Sequence, residues 1–189
     1  MGKGLGTALA VMGLVAAGPA LAEVVHDASF TAPGGERSLQ QWIDIAGPAA
    51  CVWRQLTDEA ALKASGIPMA HVELKVGGLL EEGFTADPKP GETIRHRILT
   101  YLPERLLVLR NEAVPPGVPG AELYPSIVQV ILVEPREGGV TRLTIAHTGY
   151  GKGEKYDQLY AFFHGHNPAF LTGTKLACET GAKGSPSPN

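Results

Sequence analysis

Apolar and polar residues alternate along most of the chain, and this pattern predicts a protein rich in β-strands that each bury one face. The first such stretch spans residues 39–46. Because successive side chains of a strand point to opposite faces, a period of two indicates a half-buried strand. Comparable stretches lie at 72–76, 79–85, 93–102, 105–112, 126–134 and 141–148. The pattern therefore predicts seven strands, with hairpin turns at 77–78 and 135–139.

Two short helices are predicted directly after the first strand. The first covers residues 49–56 and follows Pro48, which is harmless near a first turn because its missing donor is not needed there. The second covers 58–64, with Thr57 as the expected N-cap.

A long helix is predicted near the C-terminus, over residues 154–179. Its apolar stripe comprises Tyr156, Leu159, Tyr160, Phe163, Phe170, Leu171 and Thr174. Asn167-Pro168 interrupts the pattern and predicts a kink or two abutting helices, because proline lacks the amide donor. An apolar stripe needs a partner surface, so we expect an α+β fold in which one curved antiparallel sheet closes around this helix.

The N-terminus carries the pattern of a secretory signal peptide at residues 1–22. Lys3 provides a positive charge, 5–17 an apolar core, and Ala20-Leu21-Ala22 the small-residue cleavage pattern. A membrane anchor is the alternative, but the apolar run is short for a span and is broken at Pro19. We therefore expect export to a periplasmic or secreted location, with no membrane insertion after the signal peptide is removed.

The rest of the chain suits one domain with a continuous core. We expect a loose leader at 23–37, the folded domain at 38–180 and a disordered tail at 181–189, because both outer segments are rich in small, polar, Gly and Pro residues. The formal net charge is −3 and the sequence has no basic cluster. Nucleic acid is therefore not an expected partner.

The chain contains two cysteines, Cys51 and Cys178. In an exported protein they invite pairing, and a bridge between them would close a long loop, for which the chain-entropy model gives about 4–5 kcal/mol. Two buried free thiols are the alternative. The sequence leaves both possibilities open.

Four segments, in this order and spacing, resemble the SRPBCC superfamily with its helix-grip or START-like fold. They read PAACVWRQLTD at 48–58, VELKVGG at 72–78, IRHRILTYLP at 94–103 and GGVTRLTIAH at 138–147. The resemblance points to the homologues of the activator of heat-shock protein 90 ATPase. It implies a seven-stranded antiparallel sheet that grips the C-terminal helix, often with an apolar cavity between them. Because chaperone activation needs a cytosolic partner supplied with ATP, we expect no chaperone partner for an exported protein.

Two histidines are predicted to point into the fold. His96 shares a strand face with Ile94 and Ile98, and His147 with Leu143 and Ile145. A buried imidazole needs a partner, a water or a ligand, because leaving it unpaired costs about 1–3 kcal/mol. The two rings therefore either line a cavity and orient a ligand, or are structural histidines bonded to the backbone or to neighbours.

Four further residues are candidates for the same cavity. By alternation, Glu82 and Arg110 could point inward, where a desolvated charge needs a partner. The favoured alternative is that both lie at strand ends, reach solvent and serve only as surface charges. Tyr156 and Tyr160 lie on the helix stripe, where each offers an apolar ring and a hydroxyl. Packing in the core is the alternative for these two tyrosines.

No cofactor or metal is predicted. His164-Gly165-His166 places two imidazoles two residues apart, so on a helix they diverge, and no carboxylate or cysteine stands at a supporting spacing. The sequence also lacks the nucleophile elbow GxSxG and the motifs HExxH and CxxC.

The first functional hypothesis is an exported START-like domain that binds a small apolar or amphipathic molecule between sheet and helix. The alternative is an enzyme similar to polyketide cyclases and dehydratases, with His96 or His147 as acid or base, because imidazole titrates near neutral pH.

Overall fold

The computed structural model describes residues 25–181, which form an α+β fold with one antiparallel sheet and a long C-terminal helix. The strands are β1 (His26–Asp27), β2 (Phe30–Thr31), β3 (Arg37–Ala46), β4 (Met69–Val72), β5 (Leu79–Gly83), β6 (Thr93–Leu102), β7 (Leu106–Ala113), β8 (Val128–Pro135) and β9 (Val140–Tyr150). The α-helices are α1 (Ala49–Thr57), α2 (Glu59–Ala64) and α3 (Glu154–Gly181). The predicted signal peptide and residues 182–189 lie outside the described residues.

The sheet has nine strands in the order β1-β3-β9-β8-β7-β6-β5-β4, and β2 also pairs with β3. The helix-grip architecture predicted from the sequence is confirmed, with two strands more than expected. Both extra strands are two residues long and lie in the predicted loose leader. His26 of β1 stacks on Trp42 of β3 with 3.9 Å between ring centroids, so this segment packs on the sheet.

The first hairpin differs from its prediction. The expected strand 72–76 ends at Val72, and residues 73–78 form a loop instead. This loop bonds to β6, since the amide of Gly77 donates to the Ile98 carbonyl and the Ile98 amide donates to the Gly78 carbonyl. A Cβ on Gly78 would come within 2.0 Å of the Glu73 carbonyl oxygen. The close approach of the backbone therefore explains the glycine.

The second short helix begins one residue later than predicted. Asp58, and not Thr57, is its N-cap, and the Asp58 carboxylate accepts a hydrogen bond from the Ala61 amide at 2.8 Å. The Thr57 hydroxyl donates instead to the Trp53 carbonyl within α1. An aspartate at this position also interacts favourably with the helix dipole.

Helix α3 is one continuous helix of 28 residues across Pro168. Of the two predicted alternatives, the abutting helices are therefore wrong, and the kink stays a prediction. Proline at this position leaves the carbonyl of His164, four residues earlier, without its helical donor. The side-chain amide of Gln41 on β3 donates to that carbonyl at 3.2 Å. A buried residue of the sheet thus replaces the missing hydrogen bond.

The inner face of the sheet is covered at one end by α1 and the C-terminal half of α3. Cys51 of α1 and Cys178 of α3 form a disulfide there, with 5.8 Å between their Cα atoms. The side chains of Ile45, Leu143 and Leu171 at this end are fully buried or nearly so. Along the described part of the chain, no helix combines the length and hydropathy that a membrane span requires.

Candidate functional site

A cavity of about 320 Å³ lies between the inner face of the sheet and α3. Its wall is mainly aliphatic and aromatic, and strands β5 to β9, all three helices and the loop after β7 contribute to it. Six polar or titratable residues, tyrosine aside, also line it: Glu82, His96, Gln129, His147, His166 and Asn167. Pockets of this size and composition are typical of small-molecule sites.

His96 lies on the inward face of β6 and is buried. Its Nδ1–H donates to the side-chain oxygen of Asn111 at 3.0 Å, which leaves Nε2 as a hydrogen-bond acceptor. Burial lowers the pKa of His96 to about 4, against the smaller opposing effects of Asn111 and Glu112. The ring is therefore neutral at physiological pH.

His147 occupies the equivalent inward position on β9, with 2% of its surface exposed. The Tyr150 hydroxyl is hydrogen-bonded to its Nδ1 at 3.4 Å, and its Nε2 has no partner among the described residues. Burial lowers the pKa of His147 to about 3, with a smaller contribution from His96. Nε2 is thus a buried polar atom in the cavity wall with its hydrogen bond unmade.

Glu82 lies on the inward face of β5, where Ile94 is its cross-strand neighbour. Within residues 25–181 its carboxyl group forms no hydrogen bond or ion pair. Burial raises the pKa of Glu82 to about 7. Its charge contributes, after burial itself, to raising the pKa of the Tyr124 phenol, and both residues line the cavity.

Three residues of this region were missed by the sequence analysis. Asn111 pairs with His96, Gln129 lies opposite His147 on the neighbouring strand, and Asn167 is buried in α3 with its side-chain nitrogen unpaired. Asn167 falls four residues after Phe163, on the apolar stripe itself. Helical spacing is the signal that could have found it, although Asn167-Pro168 also has the pattern of a helix break.

The predicted inward orientation of Arg110 is wrong. Its side chain is 55% exposed and lies 3.7 Å from Glu112 on the outer face. Apolar residues occupy four consecutive positions of β7, 106–109, so alternation could not tell its two faces apart. The buried face consists of Leu107, Leu109 and Asn111.

Tyr156 and Tyr160 do not line the cavity. Tyr160 packs edge to face against Tyr150 at 5.1 Å, and the guanidinium of Arg37 lies over its ring. The Tyr156 hydroxyl lies 3.3 Å from that of Ser126. Both rings therefore belong to the core at the N-terminal end of α3.

His164 and His166, for which no metal site is predicted, have separate partners. His164 Nε2 lies 2.7 Å from the Asp27 carboxylate, and His166 Nδ1–H donates to the Phe162 carbonyl at 2.6 Å. In residues 25–181 no three potential ligands of the His, Cys, Asp and Glu types cluster as a metal ion would require.

Comparison with known proteins identifies relatives of this fold. The sequence profile of the family described as Activator of Hsp90 ATPase homolog 1-like protein matches residues 46–172. A search of curated protein sequences gave no significant match.

Solved structures show the same fold. The Aha1 dimer from Colwellia psychrerythraea is 16% identical with a TM-score of 0.61, covering 76% of this chain and 97% of the other. MLL2253 from Mesorhizobium loti is 17% identical with a TM-score of 0.61, over 76% and 98% of the two chains. CalU16 from Micromonospora echinospora is 20% identical with a TM-score of 0.57, over 88% of both. Since the family profile spans more than half of the sequence, this chain belongs to the Activator of Hsp90 ATPase homolog 1-like family.

Proposed function

We propose that this protein binds a small apolar or amphipathic molecule in the cavity between its sheet and α3. The observation that carries the proposal is an apolar wall with polar groups that lack partners among residues 25–181. These groups are the buried atoms His147 Nε2 and Asn167 Nδ2, and the partly exposed carboxyl group of Glu82. A buried polar group without a partner is costly. A ligand that fills the cavity and bonds to these groups would remove that cost.

Export is part of the same proposal. The signal-peptide pattern at residues 1–22 and the disulfide between Cys51 and Cys178 support it, because disulfides persist mainly in oxidising compartments. A fusion of residues 1–22 to a reporter enzyme that is active only after export would test it. Reporter activity confined to the cytoplasm would contradict this part of the proposal.

Native mass spectrometry of protein purified from its own host tests ligand binding. Wild type is expected to carry additional mass that denaturation releases. Ile94→Trp places a larger side chain on the inward face of β6 and is expected to abolish the bound mass. Leu99→Trp is the matched control, because Leu99 lies on the same strand, is 39% exposed and does not line the cavity. Wild type without bound mass, or loss in both variants, would count against binding in this cavity.

Acid–base catalysis is the second candidate function, and Glu82 favours it. With pKa values of about 4 and 3, His96 and His147 do not titrate near neutral pH, which argues against the role that the sequence suggested for them. Glu82, with a pKa of about 7 in an apolar wall, has the value that suits a general base at neutral pH.

The probe 5-nitrobenzisoxazole tests this second function, because removal of its ring proton breaks the N–O bond and releases a coloured phenolate. Glu82 would accept the proton. We expect a rate that rises with an apparent pKa near 7 and falls at least tenfold in Glu82→Gln. Equal rates in the two proteins would leave binding alone as the function.

A further inference from the structure

The cavity wall contains a carboxyl group but no lysine or arginine among the described residues. Glu82 is the one carboxyl group in it, and neither lysine nor arginine is among the described residues that line it. His96 and His147 are neutral, for the reasons given above. His166 is exposed and bonded to a backbone carbonyl. Within residues 25–181, neither lysine nor arginine therefore faces Glu82.

Other partly buried carboxylates of this protein have cationic partners. Arg142 forms two hydrogen bonds with Asp44 at 2.8 Å, and Arg97 does the same with Glu112 at 2.9 and 3.0 Å. Even Glu81, next to Glu82 on β5, accepts a hydrogen bond from Thr93. Glu82 differs from these residues because its carboxyl group faces the cavity instead of a partner side chain.

Five aromatic side chains share this wall, namely Phe84, Tyr124, Phe162, Phe163 and Phe170. Aromatic faces attract cations electrostatically, and most strongly when the cation is desolvated. A carboxyl group without a partner inside an aromatic wall is thus suited to a cationic head group attached to an apolar body.

We propose that the cavity selects hydrophobic amines, with the ligand ammonium paired to the carboxylate of Glu82 and the apolar body against the aromatic and aliphatic wall. This inference rests on the proposed binding function and specifies the ligand class. It disfavours fatty acids, because their carboxylate would meet Glu82 without an intervening cation.

The selection is expected to depend on pH. The titratable groups that share the wall with Glu82 are His96 of β6, Tyr124 of the turn before β8, His147 of β9 and His166 of α3. Burial keeps His96 and His147 neutral and raises the pKa of Tyr124. An alkyl ammonium resembles the lysine side chain and stays charged up to about pH 10. Affinity for an amine should therefore rise roughly tenfold from pH 6 to pH 8, as Glu82 ionises.

Calorimetric titration with decylamine, decan-1-ol and decanoic acid tests the inference, because the three share one apolar chain and differ in head group. At pH 8 wild type is expected to bind decylamine at least tenfold more tightly than decanol, and decanoic acid most weakly. Glu82→Gln should bind decylamine and decanol equally. Glu81→Gln is the matched control, since it removes the neighbouring charge without altering the cavity wall, and it should keep the preference.

The outcomes separate the two proposals. If decanol binds as tightly as decylamine, or decanoic acid binds most tightly, amine selection is overturned while cavity binding stands. If Glu82→Gln keeps the preference for decylamine, the amine binds elsewhere and the inference is again overturned. If none of the three binds to wild type, the proposed function fails and amine selection fails with it. Retained decanol binding by Glu82→Gln shows that this variant is folded.

Discussion

The two ends of the inner sheet face differ in how completely they are filled. At the disulfide end, defined by Ile45, Val52, Leu143, Leu171 and Cys178, the side chains are aliphatic or disulfide-bonded, belong to the main buried apolar cluster and do not line the cavity. The buried hydroxyl of Thr141 beside it donates to the Gly47 carbonyl at 2.7 Å. At the cavity end, defined by Glu82, His96, Asn111, His147 and Asn167, polar atoms lie beside open volume with several hydrogen bonds unmade.

This difference indicates a division of roles along one sheet. Dense apolar packing and a covalent link stabilise a fold, whereas a cavity lined by unpaired polar groups reduces stability. Such a region persists because its surroundings are stable, and places of this kind are where ligands bind. The disulfide end is therefore expected to supply the stability that the cavity end lacks.

Removal of the disulfide should have the largest effect. The bridge spans 127 residues, and for a loop of this length the chain-entropy model gives about 4–5 kcal/mol of stabilisation. Cys51→Ala/Cys178→Ala should lose that amount in urea unfolding, and reduced wild type serves as the comparison. Because neither cysteine lines the cavity, decylamine affinity should stay unchanged in the folded variant. A loss below about 1 kcal/mol would show that the bridge is not a main support.

A matched pair of leucines compares the two ends directly. Leu143 and Leu107 are both fully buried, but Leu107 lines the cavity and Leu143 does not. Leu143→Ala should cost about 3–4 kcal/mol and Leu107→Ala about half as much, because a side chain beside open volume has fewer contacts to lose. Urea unfolding measures both. Equal losses would mean that the cavity end is as densely packed as the disulfide end.

Acid should weaken the cavity end through His147. Its folded pKa of about 3 lies below the unfolded value of about 6.5, so its contribution is present above pH 6.5 and is lost as the pH falls toward 3. Between pH 6.5 and pH 4 this loss is about 3 kcal/mol. His147→Gln, which removes the titrating group but can still form a hydrogen bond with Tyr150, should lose that much less over this interval. Identical pH profiles of unfolding would show that His147 is not held neutral.

The parts of the fold that sequence predicted well are those where only one face of an element is buried. The predicted range 93–102 coincides with β6, because apolar and polar positions alternate cleanly enough to show its inward face. In β7 apolar residues occupy both faces around Leu107, so the sequence does not show which face is buried. The predicted inward orientation of Arg110 is wrong for this reason. Alternation therefore locates a strand more reliably than it orients one.

The cavity could not be read from the sequence in the same way. Leu107 on β7 and Leu143 on β9 are the same residue type, and both are fully buried on the inner face. Only their three-dimensional surroundings make Leu107 part of the cavity wall and Leu143 part of the packed core. Likewise, Glu81 and Glu82 are adjacent and identical. Strand register alone gives Glu81 the Thr93 hydroxyl and leaves Glu82 facing the cavity.

That adjacent pair provides the smallest and most specific prediction. Because burial raises the folded pKa of Glu82 to about 7, above the unfolded value of about 4.3, the native state holds a proton that the unfolded state releases. Its contribution to stability is therefore full below about pH 4.3 and is lost as the pH rises through 7. Because the carboxyl group is partly open to the cavity, we expect a loss of about 2 kcal/mol between pH 5 and pH 8.

Glu82→Gln cannot ionise, so the fall in its unfolding free energy between pH 5 and pH 8 should be smaller than that of wild type by this amount. Glu81→Gln should follow the wild-type profile, since it leaves Glu82 in place. Saturating decylamine should reverse the trend in wild type, because the bound cation favours the ionised carboxyl group and the complex then gains stability as the pH rises. If the unfolding free energies of wild type and Glu82→Gln change with pH in parallel, the Glu82 carboxyl group is exposed to water. The cavity end would then hold no buried carboxyl group and would not differ from the disulfide end in this respect.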